Sequence, residues 1–217
     1  MGLEFIEFNG QKYPSHESVW GAALWIHALA KFYCKGENGL DIGYSKPEWK
    51  LPEAYGVEPT VDPEYHAMNL PFHRFGWDYI FSSHCLEHVK ENWYNVLDYW
   101  LSAIKVGGIL FLYLPHSTQL YWRPENNRKH LYFFSGFEIE TYLTKLGHKV
   151  FVGGCDANHS FVVICEKVAV KTGEQLTKEY HETPIKFSPV TPKSFNSPHK
   201  WVDLDTLPGD TLLKDAR

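Results

Sequence analysis

Gly39-Leu40-Asp41-Ile42-Gly43 and Trp77-Asp78-Tyr79-Ile80-Phe81-Ser82-Ser83-His84-Cys85-Leu86-Glu87-His88 decide how this chain folds. The first stretch is a short apolar strand that ends in a carboxylate and a glycine. The second is a buried strand, Tyr79 to Ser82, that stops at serines and a histidine before a helix begins. Polar groups at the carboxyl ends of two hydrophobic strands are what an open parallel sheet uses to hold a ligand.

Outward from these two strands, hydrophobic spacing gives the rest of the sheet. Val19, Trp20, Ala23, Leu24, Ile26, Leu29 and Phe32 predict a helix from Ser15 to about Lys35, closed by Gly36. Tyr55-Gly56-Val57-Glu58 is a second strand ending in a carboxylate, and Val61 to Ala67 a poor third. Val89, Trp93, Val96, Leu97, Trp100, Leu101 and Ile104 predict a helix from about Glu87 to Ile104, with the tryptophans in the core. Ile109 to Leu114 is continuously apolar, as a strand covered on both faces must be. Residues 116–135 are polar and aromatic without a period, a length that marks a lid or binding loop. A helix follows from Gly136 to Leu146. Lys149 to Val152 and Ser160 to Cys165 close the sheet. The expected organisation is an N-terminal arm and helix over residues 1–35, a central domain over 36–166, and an extended proline-containing tail over 167–217. Within the first segment, residues 1–14 look like a loosely attached arm.

Composition narrows the function classes. A net charge of −5 argues against general nucleic-acid binding, which needs a basic surplus. Cys34, Cys85, Cys155 and Cys165 form no C-x-x-C pair, which suits reduced thiols in a cytoplasmic protein. The N-terminus has no signal-peptide pattern, and the most apolar run, Val106 to Pro115, is too short to span a bilayer. No membrane association is expected, and the oligomeric state is not legible.

Leu40-Asp41-Ile42-Gly43, Asn69-Leu70-Pro71-Phe72, Trp77-Asp78-Tyr79-Ile80, Ser82 through Val89, and Val106-Gly107-Gly108-Ile109-Leu110 occur in an order that resembles the class I S-adenosylmethionine-dependent methyltransferases, in the group often called type 11. The resemblance covers roughly residues 36–166. It implies an α/β, Rossmann-like open sheet of about seven mostly parallel strands with helices on both faces. It also implies S-adenosylmethionine as cofactor, held by Asp41, Gly43, Tyr44, Glu58, His66, Ala67, Met68, Ser82 and Ser83. Asp41 and Gly43 would lie by the methionine part, Glu58 at the ribose hydroxyls, His66-Ala67-Met68 at the adenine, and the Ser82–His84 strand end beside the methyl group. The chain departs from the family where Tyr44-Ser45-Lys46-Pro47 replaces further glycines, and His66 stands for an acidic residue.

The activity implied is methyl transfer to a small-molecule or glycan-like acceptor, with His84, His88 and His116 as candidate bases. The alternative is an inactive, methyltransferase-shaped binding or scaffold protein. His84-Cys85-Leu86-Glu87-His88 also matches the inverted zinc-protease pattern H-x-x-E-H. That chemistry needs both histidines on one helical face, whereas His84 directly follows a strand, so no metal is expected. Glu87 is expected at a helix start, favoured by the helix dipole. Arg123, Arg128, Lys129 and His130 form a basic cluster that could face an anionic or sugar-like acceptor.

Overall fold

The structure, a computed structural model, describes residues 5–14, 22–156 and 158–169. Its main sheet has six strands: β3 (Gly39–Ile42), β4 (Tyr55–Val57), β5 (Trp77–Ser83), β6 (Ile104–Pro115), β7 (Lys149–Val152) and β8 (Ser160–Glu166). They lie in the order β4-β3-β5-β6-β8-β7. β4, β3, β5 and β6 are mutually parallel, and β8 runs antiparallel to both of its neighbours. Every residue of β3 and β5 is buried, which explains why these strands are apolar without alternation.

Successive side chains on these strands point to opposite faces, and each face has its own helices. Ile26 and Ala30 of α1 (Ala22–Tyr33) pack with Tyr79, Phe81, Phe111 and Tyr113. On the other face Leu40, Ile42, Ile80 and Leu112 meet Val96, Leu97 and Trp100 of α2 (Trp93–Ala103) and Ile139 and Leu143 of α3 (Gly136–Lys145). Helices on both faces of a mostly parallel sheet are the architecture expected for a class I methyltransferase.

Four expectations change. Val61–Ala67 is a series of turns and not a strand, so six strands stand where about seven were expected. Val61 N–H and Asp62 N–H both donate to the Glu58 carbonyl at 2.9 Å, Asp62 Oδ1 takes Glu64 N–H at 3.1 Å, and Pro63 has no N–H to offer a ladder. The helix expected from Glu87 divides into a 3-10 turn, Leu86–His88, and α2, which begins only at Trp93. Val89 is extended between them, and Glu87 is buried in the turn and not at a helix start. The Gly107-Gly108 turn falls inside β6, where Trp77 pairs with Ile104 and Tyr79 already with Ile109. The intervening residues bulge out, with Gly107 at φ +80°.

Residues 5–14 are not a loose arm. β1 (Phe5–Phe8) and β2 (Gln11–Pro14) form an antiparallel hairpin around Asn9-Gly10, both with positive φ, as a two-residue type I′ turn demands. The hairpin is docked on the loop after β6. Leu120 N–H donates to Gln11 Oε1 at 3.1 Å, Tyr121 N–H to the Tyr13 hydroxyl at 3.3 Å, and His159 Nε2 meets the Lys12 carbonyl at 2.7 Å. The first part of the helix expected from Ser15, and the tail from residue 170 onward, lie outside the described residues. Before that limit, Lys167 Nζ donates to the Leu101 and Ile104 carbonyls at 2.7 and 2.6 Å.

Asp41 ties β3 to the segment that follows it. It is 1% exposed, and its Oδ2 accepts the Leu51 N–H at 2.6 Å. Burial pushes its carboxyl up to about 7, against the opposing pull of the Leu51 N–H and Lys50. The folded chain therefore holds a proton that the unfolded chain has released above pH ~4. Stability is full below that pH and declines as the pH rises through the folded value, by about 1.4 kcal/mol per pH unit at most. Asp41→Asn keeps an oxygen acceptor for Leu51 and removes the titration. Urea denaturation from about pH 4.5 to about pH 8 should show the parent chain losing stability relative to the variant. Parallel stability curves would contradict the buried-acid assignment.

Candidate active site

The carboxyl ends of β3, β4 and β5 border one cavity of about 340 Å³, within the range of small-ligand sites. Its floor is made where β3 ends. Gly43 has φ +81°, a conformation that favours glycine, and a Cβ there would stand 2.5 Å from Cys85 Sγ. Bare backbone is thus required on two counts. Gly43 N–H donates to the Val57 carbonyl at 2.9 Å, which locks the ends of β3 and β4 together.

Glu58 follows β4 and lines the cavity with Ile42, Val57 and Pro59. Its Oε1 accepts from Thr60 N–H at 3.1 Å and from the Thr60 hydroxyl at 2.8 Å, and its Oε2 accepts from Ser45 N–H at 3.2 Å. A carboxylate has about four acceptor positions, so these three bonds fix its orientation and leave capacity for a ligand hydroxyl.

His66-Ala67-Met68 also lines the cavity, held by a tight turn. His66 and Asn69 exchange backbone hydrogen bonds at 3.1 and 2.9 Å, Met68 N–H donates to His66 Nδ1 at 3.2 Å, and Trp100 Nε1 of α2 donates to the Ala67 carbonyl at 2.7 Å. The apolar residues Ala67 and Met68 line the same cavity as Glu58, a pairing that a flat aromatic group next to a polyol would need. The residues present fit the cofactor that the fold implies.

His84 ends β5 with φ +49°, in the left-handed region. Its backbone N–H donates to the Tyr113 carbonyl at 2.9 Å, and its ring, lining the cavity, lies between Ser160 Oγ, 2.9 Å from Nε2, and Glu87 Oε1, 3.5 Å from Nδ1. His88 also lines the cavity, with Nδ1 2.8 Å from the Lys129 carbonyl. Cys85 lies between them in sequence, and burial pushes its thiol up to about 12, so it is no nucleophile.

Gly43, Glu58, His66, Ala67, Met68, His84 and His88 are therefore brought together, and five other candidates stand behind or beside the cavity. Asp41 holds Leu51. Tyr44 is buried with its ring over Gly56. Ser82 Oγ donates to the Ile42 carbonyl at 3.1 Å, and Ser83 is buried. His116 is buried beyond β6, with Nδ1 2.8 Å from Thr118 Oγ1, and burial pushes it down to about 4. Ser45, Cys85 and Pro59 line the cavity without having been expected. Only the Ser45 backbone, at φ +57°, explains how that residue takes the place foreseen for Tyr44.

A second group of polar side chains adjoins this wall. Glu87 is fully buried, and its Oε1 lies 3.5 Å from His84 Nδ1, 3.9 Å from His88 Nε2 and 4.0 Å from His130 Nε2. Burial pushes its carboxyl up to about 8 and the buried His130 down to about 4. His130 thus leaves the solvated basic cluster foreseen for it and stacks on Trp122, with ring centres 5.5 Å apart and 8° between planes.

Comparison with known proteins agrees with this fold. The family described as "Methyltransferase domain" matches residues 21–151. No curated protein matches the sequence. Among solved structures, similar folds include a methyltransferase in complex with the Trm112 activator of Haloferax volcanii, at 13% identity, TM-score 0.55, and coverage of 70% of this chain and 92% of that one. A possible histamine N-methyltransferase from Thermotoga maritima has 19% identity, TM-score 0.52, and coverage of 67% and 89%. The 1,6-didemethyltoxoflavin-N1-methyltransferase of Burkholderia thailandensis, solved with S-adenosylhomocysteine, has 14% identity, TM-score 0.53, and coverage of 70% and 82%. At these identities the structural likeness concerns the fold.

Gly43→Ala should cost about 1–3 kcal/mol, the usual size of an overpacking or strained-backbone effect. Cys85→Ala added to it should recover only part, since it removes Sγ while the Cys85 Cβ, 2.6 Å from the added methyl, stays. Denaturant titration of both variants tests this, and an unchanged midpoint for Gly43→Ala would refute the close approach. With the family matched over most of its sheet and the cleft at the strand ends, the chain belongs to the methyltransferase domain family, in its class I, S-adenosylmethionine-dependent form.

Proposed function

We propose that this protein transfers a methyl group from S-adenosylmethionine to a small-molecule or glycan-like acceptor. The observation that carries the reading is the cavity itself, which joins Gly43, Glu58, Ala67-Met68 and His84 at the carboxyl ends of three parallel strands. S-adenosylmethionine supplies a methyl carbon on a positively charged sulfur, open to direct displacement. The bare backbone of Gly43 admits the cofactor, Glu58 accepts from its ribose hydroxyls, and Ala67 and Met68 border its adenine. Asp41 and Ser82 act from behind, through their bonds to Leu51 and Ile42, and Tyr44 and Ser83 are buried beside them.

Catalysis on this reading rests mainly on orientation, which can lower a barrier by several kcal/mol without any chemical group taking part. Where the acceptor is an oxygen or nitrogen, His84 and His88 are the candidate bases, since both reach the cavity. His116 supports the loop through Thr118. Arg123, Arg128 and Lys129 lie on that same loop, and they suit an acceptor carrying an anionic or sugar-like group. The type 11 subgroup and a cytoplasmic location belong to the same reading, the latter supported by four unpaired cysteines. No helix among the described residues is long and apolar enough to cross a membrane.

Calorimetric titration with S-adenosylhomocysteine tests the assignment. Hydrogen bonds to a charged group are worth on the order of 1.5–3 kcal/mol, so Glu58→Ala should weaken binding roughly ten- to a hundredfold. Glu58→Gln, which keeps one acceptor oxygen, should lose less. Equal affinities in all three proteins would remove Glu58 from the ribose role. Failure of the parent chain to bind would leave the fold as a binding or scaffold protein.

A further inference from the structure

We propose that Glu87, His88 and His130 form a site for one divalent transition-metal ion of the zinc class, beside the methyl-transfer cleft. The donor atoms of these three residues all lie within 4.8 Å of one another. In a tetrahedral site with metal–ligand bonds of about 2.0–2.1 Å, neighbouring donors stand roughly 3.4 Å apart. The Glu87 Oε1 distances of 3.9 Å to His88 Nε2 and 4.0 Å to His130 Nε2 are too long for hydrogen bonds and within a small contraction of that value.

A second observation points to a ligand. Glu87 is completely buried, and neither of its carboxyl oxygens has a hydrogen-bond partner among the described residues. The nearest histidine nitrogen, His84 Nδ1 at 3.5 Å from Oε1, makes no hydrogen bond with it, and a buried carboxyl left in this way is costly unless something pairs with it. A cation between Glu87 and the two facing imidazoles would satisfy all three groups at once.

His88 has the outer hydrogen-bond partner that a metal-binding histidine needs, and His130 is held by stacking instead. His88 Nδ1 is within hydrogen-bond distance of the Lys129 carbonyl at 2.8 Å, which makes Nδ1 the protonated nitrogen and turns the lone pair of Nε2 toward Glu87. His130 is locked flat against Trp122, and its ring stands 82° from that of His88 with centres 4.6 Å apart. The Glu87 carbonyl also accepts the Leu131 N–H at 2.7 Å, so the loop carrying His130 is fastened to the turn carrying the other two donors. Two nitrogens and one carboxylate oxygen are a donor set of borderline softness, suited to zinc or cobalt(II) and poorly suited to magnesium or calcium.

This set differs from the H-x-x-E-H pattern of the sequence. His84 directly follows β5 and lies outside the group of three. Its place is taken by His130, from a loop far along the chain. Three protein donors leave one coordination position open, and His88 lines the cleft wall, so that position can take water or an acceptor oxygen. A metal-bound His88 has no free nitrogen, so with the ion in place the base role falls to His84; metal binding itself requires no methyl donor and can be tested apart from methyl transfer.

The test uses the full chain, stripped with a chelator and then freed of it, titrated with cobalt(II) chloride and separately with zinc chloride. One equivalent of cobalt should produce the intense visible absorption of a four- or five-coordinate ion, and zinc should displace it stoichiometrically. His130→Ala and His88→Ala should each weaken zinc binding by more than the roughly 10–100-fold that loss of an outer hydrogen-bond partner costs. His73→Ala, at a histidine bonded to the Gly76 carbonyl, should leave it unchanged. His88 is the most exposed of the three donors, so its variant keeps the test decisive if a change at the buried positions unfolds the protein. Absence of the cobalt spectrum, or unchanged zinc affinity in a folded His88→Ala variant, would overturn the proposal.

Discussion

The close approach of Gly43 to Cys85 is the constraint on which the rest of the cleft depends. The ends of β3 and β5 meet there with no room for a methyl group, and the backbone of Gly43 is turned into a conformation that a side chain disfavours. That turn delivers Ser45 N–H to Glu58, so the end of β4 is held by the same kink. On the far side of the contact, Cys85 leads into the turn that buries Glu87 and exposes His88 to the cleft. A single backbone contact thus sets the cofactor floor, the carboxylate wall and the histidine wall together.

Much of this was legible because burial on both faces leaves a plain trace. β3, β5 and the second half of β6 are buried without alternation, and runs of that length bounded by glycines and polar residues suit strands covered on both faces. The strand ends then point to Gly43, Glu58 and His84. Local chemistry defeated the expected third strand, since Asp62 and Pro63 favour turns over a ladder. It also defeated the choice of Tyr44 over Ser45, because the left-handed backbone at Ser45 has no signature in residue type. The hairpin at residues 5–14 was available in the Asn9-Gly10 pair, but Gln11-Lys12-Tyr13-Pro14 after it offers no apolar run to mark a second strand.

The grouping of Glu87 with His88 and His130 was beyond local pattern altogether. Two of its members are adjacent in sequence and the third lies on the aperiodic loop, so only the folded loop brings them together. The motif around His84 drew attention to the right turn for the wrong partner. A helix running from Glu87 would have carried His88 and left His84 outside it. The break at Val89 instead frees the turn to aim Glu87 inward and His88 toward the cleft.

The docking of the first hairpin on the loop after β6 has a consequence for the order of folding. Gln11 and Leu120 are 109 residues apart, and Lys12 and His159 are 147 apart. Contacts of such long range close the largest loops in the chain and are rewarded only after the intervening sheet exists. The parallel core from β3 to β6 can assemble from nearer pairings. The hairpin must wait for β8, which brings His159 into reach. Residues 5–14 are therefore among the last of the described residues to find their place.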